Sequence, residues 1–142
     1  MKWNKSTRYA LYAAQEMALT NGELTSIATI SEKYDISANH LAKVMQSLVR
    51  GGIAIGIRGI GGGYRLARDS RDITLQDVVE IFEGKTALDA CVLKDGGIDC
   101  AGLSGCRLKQ VFDEIEQKAY FTLKSITLAT LIRGPIADGP PL

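Results

Sequence analysis

The sequence is poor in the residues that build most hydrolytic, zinc-binding and membrane-spanning sites. Its 142 residues include one histidine, one tryptophan and three prolines. A single histidine argues against most histidine-based hydrolase centres and excludes a histidine-rich zinc site. No apolar run approaches the ~20 residues that span a bilayer. The first 23 residues carry charged or amide groups every few positions, unlike a secretory signal. We therefore expect a cytoplasmic protein with no membrane partner.

Cysteine is also scarce, and the three that occur are an odd number: Cys91, Cys100 and Cys106. In a reducing cytosol this favours metal binding or redox chemistry over a disulfide framework. Eight and five residues separate them, so the closely spaced pairs typical of zinc sites are absent. Iron–sulfur clusters accept wider spacings, and three thiolates leave one iron position open or filled by another group. Spacing alone leaves open that they are unrelated residues of a glycine-rich loop.

The charge is divided unevenly between the two halves of the chain. Residues 1–68 carry nine basic and four acidic side chains, whereas residues 69–142 carry eight basic and twelve acidic ones. The first half therefore has a net charge of +5 and the second of −4. This asymmetry suggests that the N-terminal half contacts a polyanion.

Hydrophobic periodicity predicts a mainly α protein with a small β-hairpin wing, that is, an α+β winged helix-turn-helix followed by a long dimerisation helix. Thr25 and Ser37 are expected N-caps of the second and third helices, and Thr74 with Asp77 predicts a capping box. We expect four parts: a winged helix-turn-helix DNA-binding domain (1–83), a cysteine-bearing cluster loop (84–106), a dimerisation helix (107–133) and a flexible tail (134–142). The predicted elements are helices over 7–19, 25–33, 37–50, 74–83 and 107–131, and strands over 53–57 and 64–67.

The third predicted helix has one apolar stripe and one polar face. Its stripe recurs with helical spacing and would anchor the helix to its neighbours, leaving the polar face free to enter a DNA major groove. Side chains near its start can meet base edges or phosphates. At the hairpin, arginines and a glycine allow close approach to the sugar–phosphate backbone. The predicted DNA-binding residues are Ser37, Asn39, His40, Lys43, Arg58, Gly59 and Arg65.

Two further patterns bear on function. The glycines after Arg58 do not form a dinucleotide-binding fingerprint, because Tyr64 stands where the third glycine is required and a strand follows. The helix predicted over 107–131 is too long and too apolar on one side for a small winged-helix core. A second copy of the chain is its most economical partner, although packing within its own chain is the alternative.

Four segments carry a resemblance to a known family. They are Arg8–Leu11, Ile36–Val44, the wing Arg58–Arg68 and the exit Cys106–Lys109. With these, the chain resembles the dimeric winged-helix repressors that include NsrR and IscR, and most of all the NsrR branch. The resemblance implies a homodimeric repressor of a double-stranded DNA operator. It also implies a [4Fe-4S] or [2Fe-2S] cluster on Cys91, Cys100 and Cys106 that controls DNA affinity in response to nitric oxide, oxidants or cluster supply.

The sequence departs from that family pattern in two ways. Eight residues separate the first two cysteines where the family usually has five. Lys109 and Arg8 stand where branches of the family have a histidine and an aspartate as fourth ligand. An alternative is therefore a cluster-free regulator of the same fold that responds to a small metabolite or a partner protein. We expect no enzyme, because no nucleophile–base pair or paired-carboxylate site is present.

Overall fold

The element order predicted from the sequence is confirmed, apart from the C-terminal helix. The structure is a computed structural model that describes residues 3–84 and 106–133. Cys91 and Cys100 therefore lie outside the described residues. The elements are α1 (Lys5–Leu19), α2 (Ile27–Tyr34), α3 (Ala38–Arg50), β1 (Ala54–Ile57), β2 (Gly63–Leu66), a single 3₁₀ turn (Ser70–Asp72), α4 (Leu75–Glu83), α5 (Arg107–Ser125) and α6 (Leu128–Arg133).

Helix α1 is the centre of the fold. It contacts α2, α3, α4, α6 and β2. Ala10, Ala13 and Ala14 are fully buried on it, and Met17 is 1% exposed. Short side chains at a helix contact allow neighbouring helices to approach closely. The alanines therefore let several elements pack around one helix.

Helices α2 and α3 form the predicted helix-turn-helix. Ser37 caps α3 as predicted, because its hydroxyl accepts a hydrogen bond from the backbone N–H of His40. The N-cap predicted for α2 is wrong by one residue, since Ser26 accepts from Thr29 N–H. Asp35, between the helices, has φ of +53°, a left-handed conformation that aspartate tolerates better than most residues. The buried side of α3 consists of Leu41, Val44, Met45 and Leu48.

The wing is a two-stranded antiparallel hairpin that is also tied to the helix-turn-helix. Ala54 pairs with Leu66 and Ile57 with Gly63. Thr25, which does not cap α2, instead exchanges two backbone hydrogen bonds of 2.8 Å with Tyr64. Thr25, two residues before α2, thus forms an isolated antiparallel bridge to β2. This pairing limits how far the wing can move relative to α2 and α3.

A buried carboxylate links α1 to α2. Glu16 is 7% exposed and accepts hydrogen bonds of 2.6 Å from the Lys33 ammonium and the Tyr34 hydroxyl. Burial of the Tyr34 side chain and its hydrogen bond to Glu16 raise the pKa of Tyr34 above its ordinary range. The hydroxyl therefore stays protonated and remains a donor. This contact holds the first helix of the helix-turn-helix against the central helix.

Both ends of α4 are fixed by side chains. The predicted capping box is confirmed: Asp77 N–H donates to the Thr74 hydroxyl, and Thr74 N–H donates to the Asp77 carboxylate. At the other end, Glu83 accepts hydrogen bonds from the Asn4 N–H and the Thr7 hydroxyl. Helix α4 is thereby joined to the first turn of α1.

The single helix predicted over 107–131 is wrong. The chain leaves helical conformation between α5 and α6, where Thr127 pairs with Thr74. The carbonyl of Ile126 accepts from Leu75 N–H at 2.9 Å, and Leu128 N–H donates to the Ile73 carbonyl at 2.8 Å. Leu128 is fully buried in the core. Helix α6, predicted as part of a dimerisation helix, therefore packs against the winged-helix core through Leu128 and Ala129.

The packing around α1 predicts that added volume there is costly. We expect Ala14→Leu to lower the free energy of unfolding by about 1–3 kcal/mol, because a fully buried alanine leaves no space for three more carbon atoms. Ala28→Leu on α2 is the matched control, since Ala28 is exposed. Urea unfolding followed by circular dichroism measures both. Equal stability of the two variants would contradict this description of the core.

Candidate nucleic-acid interface

A continuous polar face runs along α3 opposite its buried side. Asn39, Lys43, Gln46 and Arg50 are all exposed. Their spacing of four, three and four residues places them on one side of an α-helix. Because the buried stripe fixes how the helix is rotated, this face is presented to solvent as a unit. Two of the four residues, Asn39 and Lys43, were predicted to contact DNA.

The wing tip depends on glycine for its shape. Gly59 has φ of +101°, a conformation that residues with a side chain rarely adopt. At Gly62, an added Cβ would lie 2.2 Å from the carbonyl oxygen of Ile57. Gly62 N–H closes the turn by donating to the Gly59 carbonyl at 2.9 Å. The tip therefore exposes the backbone next to Arg58, which is itself exposed.

A groove of about 620 Å³ separates the C-terminal half of α3 from the wing. Gln46 and Arg50 line it on the helix side, and Arg58 and Gly59 line it on the wing side. The polar face of α3 thus continues across the groove onto the hairpin. The structure brings Arg58 and Gly59 together with α3, as the sequence predicted. Gln46 and Arg50 were left out of the predicted contacts, although their helical spacing from Asn39 identifies them.

The cations beside this groove have no anionic partners in the part of the chain that the structure describes. Lys43, Arg50 and Arg58 form no ion pair with any acidic residue in 3–84 or 106–133. By contrast, Lys33 on α2 is paired with Glu16. Positive charge without an internal counter-charge attracts a polyanion and is available to neutralise phosphates.

Three other predicted DNA-binding residues lie in different surroundings. His40 is half-buried between α3 and α1, with Nε2 3.0 Å from the Ser6 hydroxyl and its ring 4.9 Å from the Tyr9 ring in an edge-to-face arrangement. The Ser37 side chain caps α3. Arg65 pairs across the hairpin with Ile55 and lines a second cleft, next to α1 and α6.

Cys106 is the one predicted cluster ligand among the described residues. It is a half-buried free cysteine and directly precedes α5. Within residues 3–84 and 106–133, no three histidine, cysteine, aspartate or glutamate side chains are grouped so as to hold a metal ion. None of the described helices is long and apolar enough to cross a membrane.

Comparison with known proteins identifies the family. The Rrf2 profile, described as "Iron-dependent Transcriptional regulator", matches residues 3–134. The chain belongs to the Rrf2 family. It is 39% identical over 133 residues to BadM of Rhodopseudomonas palustris, whose name describes an HTH-type transcriptional regulator; the match covers 94% of this chain and 82% of BadM. Protein aau3 of Rhizobium meliloti is 32% identical, with 94% and 86% covered.

Solved structures of this family have the same fold. CymR, the global cysteine regulator of B. subtilis, matches with a TM-score of 0.75 and 27% identity, covering 92% of this chain and 95% of CymR. IscR of T. potens matches with a TM-score of 0.73 and 23% identity, covering 100% and 93%. The predicted winged-helix fold class is therefore confirmed. The Rrf2 chain is a DNA-binding transcriptional regulator and not an enzyme.

Proposed function

We propose that this Rrf2 regulator represses transcription by placing α3 in the major groove of an operator and the wing against the adjacent backbone. The observation that carries the proposal is the continuous exposed face of α3 and the wing, whose cations form no ion pair in the described part of the protein. A helix seated on a buried apolar stripe can enter the major groove, which is about 12 Å wide, without unfolding.

The residues divide by the chemistry of what they contact. Asn39 has an amide that can pair with an adenine edge through two hydrogen bonds. Lys43, Arg50 and Arg58 supply charge to phosphates, which positions the protein but carries little sequence information. Gly59 lets the wing backbone approach the sugar–phosphate wall. Ser37, His40 and Arg65 stand outside this primary set, because their side chains cap α3, pack on α1 or line another cleft.

Two substitutions separate these roles. We expect Arg58→Ala to weaken binding to all sequences and to lower the slope of log affinity against log salt by about 0.9, the value for one lost phosphate contact. Asn39→Ala should keep the salt slope and reduce discrimination at one base pair, which is typically worth about 1–3 kcal/mol. Fluorescence anisotropy with operator and scrambled DNA at several salt concentrations measures both.

The matched control is Lys118→Ala, which removes one exposed cation on α5. It should leave the salt slope unchanged. The assignment would be contradicted if the Arg58→Ala and Asn39→Ala proteins bound operator as tightly and as selectively as the parent protein.

The exposed face of α5 supports assembly into a homodimer. Leu108, Val111 and Ile115 are 62%, 54% and 52% exposed, and their spacing places them in one stripe. Helix α5 contacts α4, and half-buried side chains such as Glu116 and Tyr120 lie on a different side from the stripe. A second copy that packs its own stripe there would bury both in a two-fold interface. Two linked α3 helices would then read half-sites separated by whole turns of ~34 Å.

The dimer proposal predicts a disruptive effect of charge in the stripe. Ile115→Asp should produce monomers, because burying an unpaired carboxylate costs several kcal/mol. Operator affinity should fall with it, since two half-sites no longer bind together. Gln117→Asp is the control, because Gln117 is exposed on the opposite side of α5. Sedimentation velocity measures the assembly state, and a dimer of Ile115→Asp as stable as that of Gln117→Asp would refute the interface.

The start of α5 fits an anionic group held by Cys106. The first turn of α5 has no acidic residue and no side-chain cap, although helix N-termini favour negative charge. Instead it contains Arg107 and Lys109, and the Lys109 ammonium lies 2.5 Å from Asp113. We include in the proposal an iron–sulfur cluster on Cys91, Cys100 and Cys106. When bound, a cluster on three thiolates supplies one iron position for a weak ligand or a diatomic signal such as nitric oxide.

The cysteines can be tested one at a time. We expect Cys91→Ser, Cys100→Ser and Cys106→Ser to lose iron and sulfide after anaerobic purification and to change operator affinity in parallel. Ser104→Ala is the control for the same stretch of sequence. Visible absorption, iron and sulfide analysis and DNA binding are measured on the same samples. Full iron content and an unchanged nitric-oxide response in all three cysteine variants would remove the cluster from the proposal and leave the cluster-free regulator.

A further inference from the structure

A second cleft, of about 630 Å³, lies between the C-terminal end of α1, the strand β2, the 3₁₀ turn and helix α6. It shares no lining residue with the groove between α3 and the wing. Its volume is within the range of small-molecule sites in proteins. Apolar atoms come from Met17, Leu66, Ala129 and Ile132, and four arginines surround them: Arg65, Arg68, Arg71 and Arg133.

The charges around this cleft are unbalanced. Asp69 is its single acidic lining residue, and Arg71 occupies both carboxylate oxygens through Nε at 3.0 Å and Nη2 at 2.9 Å. Hydrogen bonds from the Arg71 side chain and backbone lower the pKa of Asp69 to about 2. Both side chains therefore stay ionised, and the net charge of the pair is zero. Arg68 donates to the Asp72 carbonyl at 3.1 Å. Four arginines and one aspartate leave the lining with a net charge of +3. The positive charge of Arg133 also contributes to lowering the pKa of Asp69, but Arg133 forms no ion pair with that carboxylate.

Two of these guanidinium groups are available to a ligand. Arg65 and Arg133 form no ion pair with an acidic residue of the described ranges. Arg65 is half-buried on β2, and Arg133 is the last residue of α6. Guanidinium groups bind carboxylates and phosphates through two parallel hydrogen bonds. The cleft therefore combines an anion-binding rim with an apolar floor.

We propose that this cleft binds a small organic anion, with its carboxylate or phosphate on Arg65 and Arg133 and its apolar body against the half-buried Leu66 and Ile132. A DNA phosphate fits less well, because the half-buried Leu66 and Ile132 also line the cleft, and a sugar–phosphate backbone has no apolar group to cover them. A ligand here would join the wing strand β2 to α6. Because α6 directly follows α5 in the chain, separated from it by Ile126 and Thr127, occupancy would alter how the wing is held relative to the α5 stripe. The cleft would thus be a site for an effector, and Cys106 is not among its lining residues.

The test uses 2-naphthoate, a fluorescent carboxylate with an apolar body, and neutral 2-naphthamide of nearly the same shape. We expect the full chain to bind one naphthoate saturably and the amide about tenfold or more weakly, because charge-assisted hydrogen bonds are lost. Arg133→Gln and Arg65→Gln should each weaken naphthoate binding by about tenfold, the scale of one such contact. Lys118→Gln, which removes a cation from α5, should bind like the parent.

The outcomes are distinct from those of the DNA experiments, because the naphthoate titration contains no DNA. Equal affinity for naphthoate and naphthamide, or unchanged naphthoate binding in both arginine variants, would overturn the proposal. An Arg133→Gln protein that binds naphthoate normally but loses about 0.9 from the salt slope of DNA binding would reassign the cleft as a phosphate contact. Arg133 and Arg65 are surface or half-buried residues, and matching melting temperatures would confirm that the variants are folded.

Discussion

The rest of the structure depends on the close packing of several elements against the alanine side of α1. Ala10, Ala13 and Ala14 leave room for neighbours on more than one side, so a 15-residue helix contacts four other helices and a strand. A small domain has little interior, and sharing one helix among all its elements lets each bury its apolar side. Every surface assigned to DNA or to a ligand is positioned through this helix.

The two elements assigned to DNA binding, α3 and the wing, are held in the fold by different interactions. Helix α3 packs through its apolar stripe of Leu41, Val44, Met45 and Leu48. The wing is held by β2 against α1 and by the Thr25–Tyr64 backbone pair. Burial sets the position of the recognition face, and hydrogen bonds of fixed geometry set the position of the tip. The groove between them therefore has a shape that neither element could establish alone.

The sequence was sufficient to predict features whose causes are local. Residues close together in the sequence determine four such features: the apolar stripe of α3, its Ser37 cap, the Thr74–Asp77 capping box and the glycine-rich hairpin. The end of α5 was missed because apolar spacing continues through Ile126 with no proline or glycine, and the break comes from pairing with Thr74, about fifty residues earlier. Thr25 was misassigned for the same reason, since its partner is Tyr64. Arg65 shows how far the sequence could predict the site. The alternation of the strand indicates on which face of the hairpin its side chain lies, but only the packing of the fold shows that α6 lies nearby.

The pairing of Thr127 with Thr74, which separates α5 from α6, also means that a small tilt of α5 at this junction gives a large displacement at its other end. Its 19 residues extend about 28 Å, whereas the nine residues of α4 extend about 13 Å at 1.5 Å per residue. Helix α4 can therefore flank at most about half of the length of α5. With the pivot at Ile126 and Thr127, a tilt of about 10° displaces the Cys106 end by about 5 Å, close to one helical turn. A tilt of α5 that is too small to disturb the core at Leu128 thus gives a large displacement at the Cys106 end of the helix.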